Sequence, residues 1–319
     1  MNLTTAPAIS KIASCPDNYR RRIYDFPNGR SAFKATLLAL GMRSGFDEVL
    51  LPAYVGWSSR EGSGVMDPIR ELGLKPVFYR MTSQLRVDVD DLYLRLTTSR
   101  ARVLVVIHYF GFPDPEYKRV CQLAHEHGLI VVEDEAHSML SDLVGGVCGR
   151  VGEFSIMSLH KLLPVPQGGL LVVNNAVERT TAGAFQLLCN GSPCSIDFGE
   201  YDNFSIAQQR RSHAARLVEL LAHVPQVELL MPLSDGVVPQ TLPIVLKSGC
   251  RDSLYHQLNS EGFGVVSLYH TLVPELNELE YPDAHWLAKR VLNLPVHQDI
   301  NPDLLAPMIE RLSDLLSHD

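Results

Sequence analysis

Runs of apolar residues, separated by stretches with apolar positions on one side only, set the plan of the chain. Residues 102–110 hold the continuous run Val103-Leu104-Val105-Val106-Ile107, and shorter runs fall at 131–132, 154–159 and 170–173. Continuous apolar runs of this length suit strands buried on both faces. Residues 75–81 read as a further strand. The stretches between them read as helices: Phe33 to Leu40, 88–96, and 115–127, where Val120, Leu123 and Ala124 share a face and Gly128 ends the pattern. Strands alternating with helices predict an α/β fold with a parallel-rich sheet covered on both sides. After a long helix over 205–223 the pattern changes: extended at 238–246, helical at 251–262, extended at 264–266, helical at 284–291, extended at 292–297, and helical from 302 to 316. That order predicts a smaller α+β domain. The expected division is 1–204 for a large domain and 205–319 for the small one with its connecting helix. No repeat, low-complexity tract or linker separates them, so they should share an extensive interface.

Bulk properties narrow the function. The 319 residues are enough for one large core or a large and a small domain, and 46% are hydrophobic. A formal net charge of −8 does not favour a general nucleic-acid binder. No apolar run reaches membrane-spanning length, and the N-terminus lacks the charged start and apolar core of a signal peptide, so a cytoplasmic protein without a membrane partner is expected. The six cysteines are scattered, with Cys189 and Cys194 the closest pair and no Cys-x-x-Cys, which points to free thiols and no metal site. Residues 1–22, with Arg20-Arg21-Arg22, read as a solvated basic arm.

The candidate chemistry sits at two strand ends. Val131-Val132-Glu133-Asp134-Glu135-Ala136-His137 ends a strand in a carboxylate and an imidazole, and Ser158-Leu159-His160-Lys161 places a lysine just past the next apolar run. Alone, Asp134 reads equally as a helix cap and Lys161 as a surface lysine. Together they suit a cofactor with a basic nitrogen at one end and an aldehyde at the other. Ligands in such sheets bind at strand ends. No Gly-x-Gly-x-x-Gly follows a first strand, which argues against a dinucleotide site.

These residues resemble the fold-type I pyridoxal-phosphate enzymes, and among them the DegT/DnrJ-type sugar aminotransferases. The match continues through Leu162-Leu163-Pro164-Val165-Pro166-Gln167-Gly168-Gly169, like the family's path from its lysine to a Gly-Gly pair, and reaches the C-terminal Leu294-Pro295-Val296-His297. The resemblance implies a mostly parallel seven-stranded sheet and a small C-terminal α+β domain, with pyridoxal 5′-phosphate as cofactor. It puts Asp134 under the pyridine nitrogen, Lys161 on the aldehyde, His137 near the ring's phenolic oxygen, and Ser158 on the phosphate. Gly29, Arg30 and Ser31 stand where the family has a Gly-Thr-Ala type helix start that cradles phosphate, with Arg30 in place of the threonine. A plain helix cap is the other reading of that motif. An aromatic after Pro52 should stack on the cofactor; Trp57 is preferred over Tyr54, and both could be core aromatics instead.

The resemblance further implies a homodimer with shared active sites, in which Asn203 reaches the neighbour's phosphate. Arg210-Arg211 resemble a family arginine pair but read equally as a solvated basic face. The family's leading N-terminal segment is expected to be shortened here. The implied activity moves an amino group from a small-molecule amino donor, glutamate or glutamine, to a keto-sugar or related carbonyl acceptor. Two alternatives stay open: another reaction of the same cofactor (dehydrase, lyase or racemase), and a cofactor-binding regulator without turnover.

Overall fold

The computed structural model describes residues 21–174, 188 and 200–317. Residues 1–20, Asn190-Gly191-Ser192-Pro193 and the cysteines 15, 189 and 194 lie outside the described residues.

The first unit alternates as its pattern requires. In chain order it contains β1 (Arg22–Phe26), α1 (Gly29–Ala39), β2 (Glu48–Pro52), α2 (Met66–Glu71), β3 (Lys75–Tyr79), α3 (Val89–Thr98), β4 (Ala101–Ile107), α4 (Tyr117–Glu126), β5 (Ile130–Asp134), α5 (Met139–Leu143), β6 (Phe154–Ser158) and β7 (Gly169–Val173). The seven strands form one sheet in the order β1-β7-β6-β5-β4-β2-β3. Strands β6, β5, β4, β2 and β3 run parallel, and β7 pairs antiparallel with both β6 and β1. Every residue of β6 and β7 is buried, which is why β7 reads as an apolar run and β6 as an apolar run broken by Ser155.

Helix α6 (Asn203–Leu221) leads to β8 (Val227–Leu229), β9 (Thr241–Leu246), α7 (Arg251–Ser260), α8 (Pro282–Arg290), β10 (Val291–Pro295) and α9 (Leu305–Ser317). Strands β10, β9 and β8 make an antiparallel three-stranded sheet. The 264–266 stretch contributes a single bridge, Val266 to Asn293, rather than a strand. One core cluster joins residues of the large sheet to those of the small one, Val105 and Leu171 with Leu242 and Leu292. Among the described residues no helix is long and apolar enough to cross a membrane.

Two expectations are corrected here. The basic arm does not stay solvated to residue 22: Arg22 opens β1, and Arg21 holds the fully buried Asp142 at 2.5 Å and Asn174 at 2.8 Å. A carboxylate with no solvent access needs a counter-cation, and Arg21 with Arg150 supplies it. The strand expected to run to residue 110 stops at Ile107. A tight turn over Tyr109–Gly111 follows, with Phe110 at φ 58°.

Candidate active site

Parallel strands β4, β5 and β6 all end on the same side, and the site is built where they end. Asp134 is the last residue of β5, in register with Ile107 of β4 and Ile156 of β6. Lys161 closes the single turn Leu159–Lys161 that follows β6. The two expected residues therefore line one cavity of about 440 Å³, together with Asn28, Gly29, Arg30, Ala136, Ser158 and His160.

A third component comes from the other side of β6. Helix α1 starts beside β7, and only a glycine there lets it come so close. A Cβ on Gly169 would lie 2.1 Å from the carbonyl carbon of Asn28 and 2.5 Å from the Gly29 nitrogen. The Gly-Gly pair after the lysine thus sets the helix start at the cavity wall. The Asn28 side chain accepts from the Ser31 amide at 2.9 Å and from the Ser31 hydroxyl at 3.0 Å. Ser31 is consequently committed to the cap. The amides of Gly29 and Arg30 have no acceptor one turn behind them and are left to face the cavity, at the positive end of the helix dipole. The Arg30 side chain turns elsewhere: its guanidinium donates to the Glu61 carbonyl and pairs with Asp67 at 3.2 Å. It thereby ties down the hairpin around the Ser58–Gly62 bridge, where Arg60, Glu61, Gly62 and Gly64 line the cavity.

Beneath the strand ends lies a layer of fixed charges. Glu133 is fully buried and accepts from the amides of Gly149, Val151 and Gly152 at 2.7–2.9 Å and from His108 at 2.8 Å. Burial pushes its carboxyl up, but His108 and those amides outweigh burial and hold it below its ordinary value. Asp134 has fewer partners. Burial raises its carboxyl pKa, against the Ala136 amide at 3.0 Å and the charges of His108 and Lys161. A carboxylate poised in this way gains from any cationic donor placed over it.

His137 sits beside the cavity rather than on it. Its Nδ1 accepts from the Phe110 amide at 3.3 Å, which leaves the proton on Nε2. Burial, with Lys161 nearby, pushes the imidazole down to about 3, so the ring is neutral. It belongs to an aromatic cluster that the sequence does not display: Phe110 stacked at 6.2 Å, and Tyr269 edge-on at 6.0 Å. Tyr269 comes from far along the chain, at φ 56°, and also stacks on Tyr54 at 5.1 Å. Trp57 is 38% exposed, and neither it nor the fully buried Tyr54 lines the cavity. Asn203 begins α6 and also lies outside the cavity wall. The hairpin 58–64 and Tyr269 escaped the sequence reading; the Gly62-Ser63-Gly64 spacing was the available sign of a tight loop. Arg210, read equally as part of a solvated face, is 3% exposed.

The donor set fits pyridoxal phosphate on its own terms. A cavity of about 440 Å³ is within the usual range for a small-molecule site of ~300–1,000 Å³. It offers a buried carboxylate, a lysine, a serine hydroxyl and two unengaged helix-start amides, with Val105, Val132 and Ile156 as apolar wall.

Comparison with known proteins agrees. Residues 25–192 match the DegT/DnrJ/EryC1/StrS aminotransferase family. A pleiotropic regulatory protein of Geobacillus stearothermophilus is 23% identical over 332 aligned residues, covering 91% of this chain and 84% of its own. A UDP-N-acetyl-3-dehydro-α-D-glucosamine 3-aminotransferase of Acidithiobacillus ferrooxidans is 23% identical, covering 88% and 80%. Among solved structures, the PLP form of a putative sugar aminotransferase, Spr1654 from Streptococcus pneumoniae, superposes with a TM-score of 0.79 at 16% identity, covering 93% of this chain and 87% of that one. DesV of S. venezuelae, in complex with a ketimine intermediate, gives 0.72 at 21% identity, covering 93% and 84%.

Proposed function

The chain belongs to the DegT/DnrJ/EryC1/StrS aminotransferase family, with pyridoxal 5′-phosphate as cofactor, and from that premise we propose that it transfers an amino group from glutamate or glutamine to a keto-sugar or related carbonyl acceptor. The observation that carries this reading is the single cavity in which Asp134, Lys161, Ser158 and the α1 amides meet. Relatives that are sugar aminotransferases, including a dTDP-4-amino-4,6-dideoxy-D-glucose transaminase of Shigella dysenteriae, support a sugar as the acceptor.

The bound cofactor supplies an aldehyde for the amino group and a ring that takes up electrons from the substrate carbon. The protein's part follows from its residues. Lys161 would hold the aldehyde end of the cofactor and would move the proton at the reacting carbon. Asp134 keeps the ring nitrogen protonated, its raised carboxyl pKa being lowered again by the cation it faces. Gly29 and Arg30 amides and the Ser158 hydroxyl hold the phosphate, and Arg30 reaches it through its backbone alone. Ser31 supports the same helix start through Asn28. His137 presents Nε2–H toward the ring oxygen. For the stacking aromatic we retain Trp57, which directly precedes the Ser58–Gly62 hairpin of the cavity wall. Residues 1–204 act as the cofactor-binding unit and 205–319 as the smaller unit. A homodimer completes each site through Asn203 of the partner subunit.

The presence of the lysine favours amino transfer over dehydration. With the cofactor loaded, glutamate or glutamine alone should convert the protein to its amino form, shifting the absorbance of the bound cofactor without any acceptor. Asp134→Asn should slow that conversion by at least ~100-fold, because losing a charge-assisted hydrogen bond costs about 1.5–3 kcal/mol in binding before any effect on the reaction. No conversion with any amino donor, in protein shown to hold the cofactor on Lys161, would favour the non-catalytic reading.

A further inference from the structure

The phosphate end of the cofactor cavity has hydrogen-bond donors but no counter-charge assigned to it. The amides of Gly29 and Arg30 and the hydroxyl of Ser158 are all neutral. A phosphate dianion taken out of water gains most from a donor that is also a cation.

The cavity wall holds Arg30, Arg60, His160 and Lys161 as candidates for that charge. Arg30 is spent on Asp67 at 3.2 Å and on the Glu61 carbonyl. Lys161 is assigned to the aldehyde. Burial and the neighbouring Lys161 push the His160 imidazole down, toward its neutral form. Arg60 is the one left: its exposed side chain makes no ion pair and no hydrogen bond among the described residues.

The backbone under Arg60 is fixed. Ser58 and Gly62 exchange both backbone hydrogen bonds, at 2.8 and 3.1 Å, and the Ser58 hydroxyl accepts from the Glu61 amide at 3.0 Å. Asp67 accepts from the Ser63 amide at 3.0 Å while it pairs with Arg30. Glycine is required at 62, where φ is +67° and a Cβ would lie 2.3 Å from Asp67 Oδ2. Arg60 therefore stands at the tip of a hairpin pinned to the first turn of α1. The same pin sets the reach. The Arg30 side chain spans from the α1 start to the Glu61 carbonyl. Arg60, one residue earlier, has a side chain of the same length with which to span back.

We propose that Arg60 is a cofactor-binding residue whose guanidinium closes over the phosphate held by the Gly29 and Arg30 amides. The proposal rests on the pyridoxal-phosphate reading of the cavity. A guanidinium fork matches phosphate oxygens, and the pinned hairpin leaves only one side chain to be ordered on binding. Glu61 lines the same cavity with the opposite charge and no ion pair among the described residues, so it works against the phosphate. The diphosphate of a nucleotide-linked acceptor shares this chemistry. The cofactor's phosphate is favoured because the hairpin is tied to the helix start that receives it.

The test is calorimetric titration of the full-length, cofactor-free protein with pyridoxal 5′-phosphate and with pyridoxal, which lacks the phosphate. The parent should prefer the phosphorylated form. Arg60→Gln should cut that preference about tenfold, the loss of one charge-assisted contact, with pyridoxal affinity and thermal unfolding unchanged. Arg60→Lys should restore most of it, and Glu61→Gln should raise it above the parent's. A purely structural role for the hairpin would not give neighbouring residues effects of opposite sign. An unchanged preference in Arg60→Gln, or an equal loss of both ligands, overturns the proposal while leaving the cofactor reading intact. A parent that binds neither ligand removes that reading and the proposal with it. Titration of the loaded protein with uridine diphosphate separates the two sources. If Arg60→Gln weakens the nucleotide and spares the preference for pyridoxal phosphate, the arginine serves the acceptor and the proposal is overturned.

Discussion

His137 shows how a single residue's surroundings decide what it can do. It was read from its place three residues after Asp134, and the structure puts it within an aromatic cluster with Nδ1 already occupied by the Phe110 amide. A histidine with a pKa near 3 in the folded chain and about 6.5 in the unfolded one binds a proton only in the unfolded state across that window. Its contribution to stability is therefore complete above pH 6.5 and is lost as pH falls toward 3. At pH 5 the loss is on the order of 2 kcal/mol, from 1.5 pH units at about 1.4 kcal/mol each. Urea unfolding at pH 7.5 and pH 5 should show His137→Gln losing less stability than the parent by about that amount. Because Asp134, with its raised pKa, titrates in both proteins, the difference isolates the imidazole. Equal losses would mean that the ring is protonated in the fold and cannot offer a neutral Nε2–H.

Among the elements, β7 and α1 carry the strongest constraint. A methyl group at Gly169 would fall well inside van der Waals contact with Asn28, so Gly169→Ala must push the α1 start out of the cavity wall. Cofactor affinity should drop at least ~30-fold, since two phosphate-facing amides move together. Gly41→Ala serves as control: its φ is +62° but nothing lies within 4 Å, so a cost of about 1 kcal/mol in stability with unchanged cofactor affinity is expected. Equilibrium dialysis of the cofactor against both variants measures the contrast, and equal affinities would remove β7 from the account. This constraint was legible in advance as a Gly-Gly pair, as were the parallel strands, whose burial on two faces writes itself as apolar runs. What was not legible depended on contacts distant in sequence. Strand β1 hides behind an arginine run because it lies at the sheet edge and pairs with β7, 143 to 151 residues further on, as Phe26 paired with Gly169 and Arg22 with Val173 show. Strand β4 was read too long because Tyr109 and Phe110 are as apolar as the strand, yet turn aside to pack on His137 and Tyr269. An Arg210-Arg211 pair on a helix carries no mark of which arginine will be covered, and the covering segments, 239–240 and 298, follow much later.

For the whole molecule, the claim is of two units around one lysine, and of two subunits around each phosphate. Helix α6 begins at Asn203, the residue proposed to reach the phosphate of the partner subunit's site. Mixing Lys161→Ala with an Asn203→Ala variant, each inactive, should restore up to about a quarter of parental turnover per site, because one site of each mixed dimer would carry both lesions and the other neither. Proven subunit exchange without recovered activity would confine the site to one chain. The central claim, that Lys161 holds the cofactor, has a more direct measurement. Borohydride reduction of the protein loaded with pyridoxal phosphate, followed by peptide mapping, should place one phosphopyridoxyl group per chain on Lys161 and none in Lys161→Ala. A label on another lysine, or a protein that takes up no cofactor at all, would contradict the account.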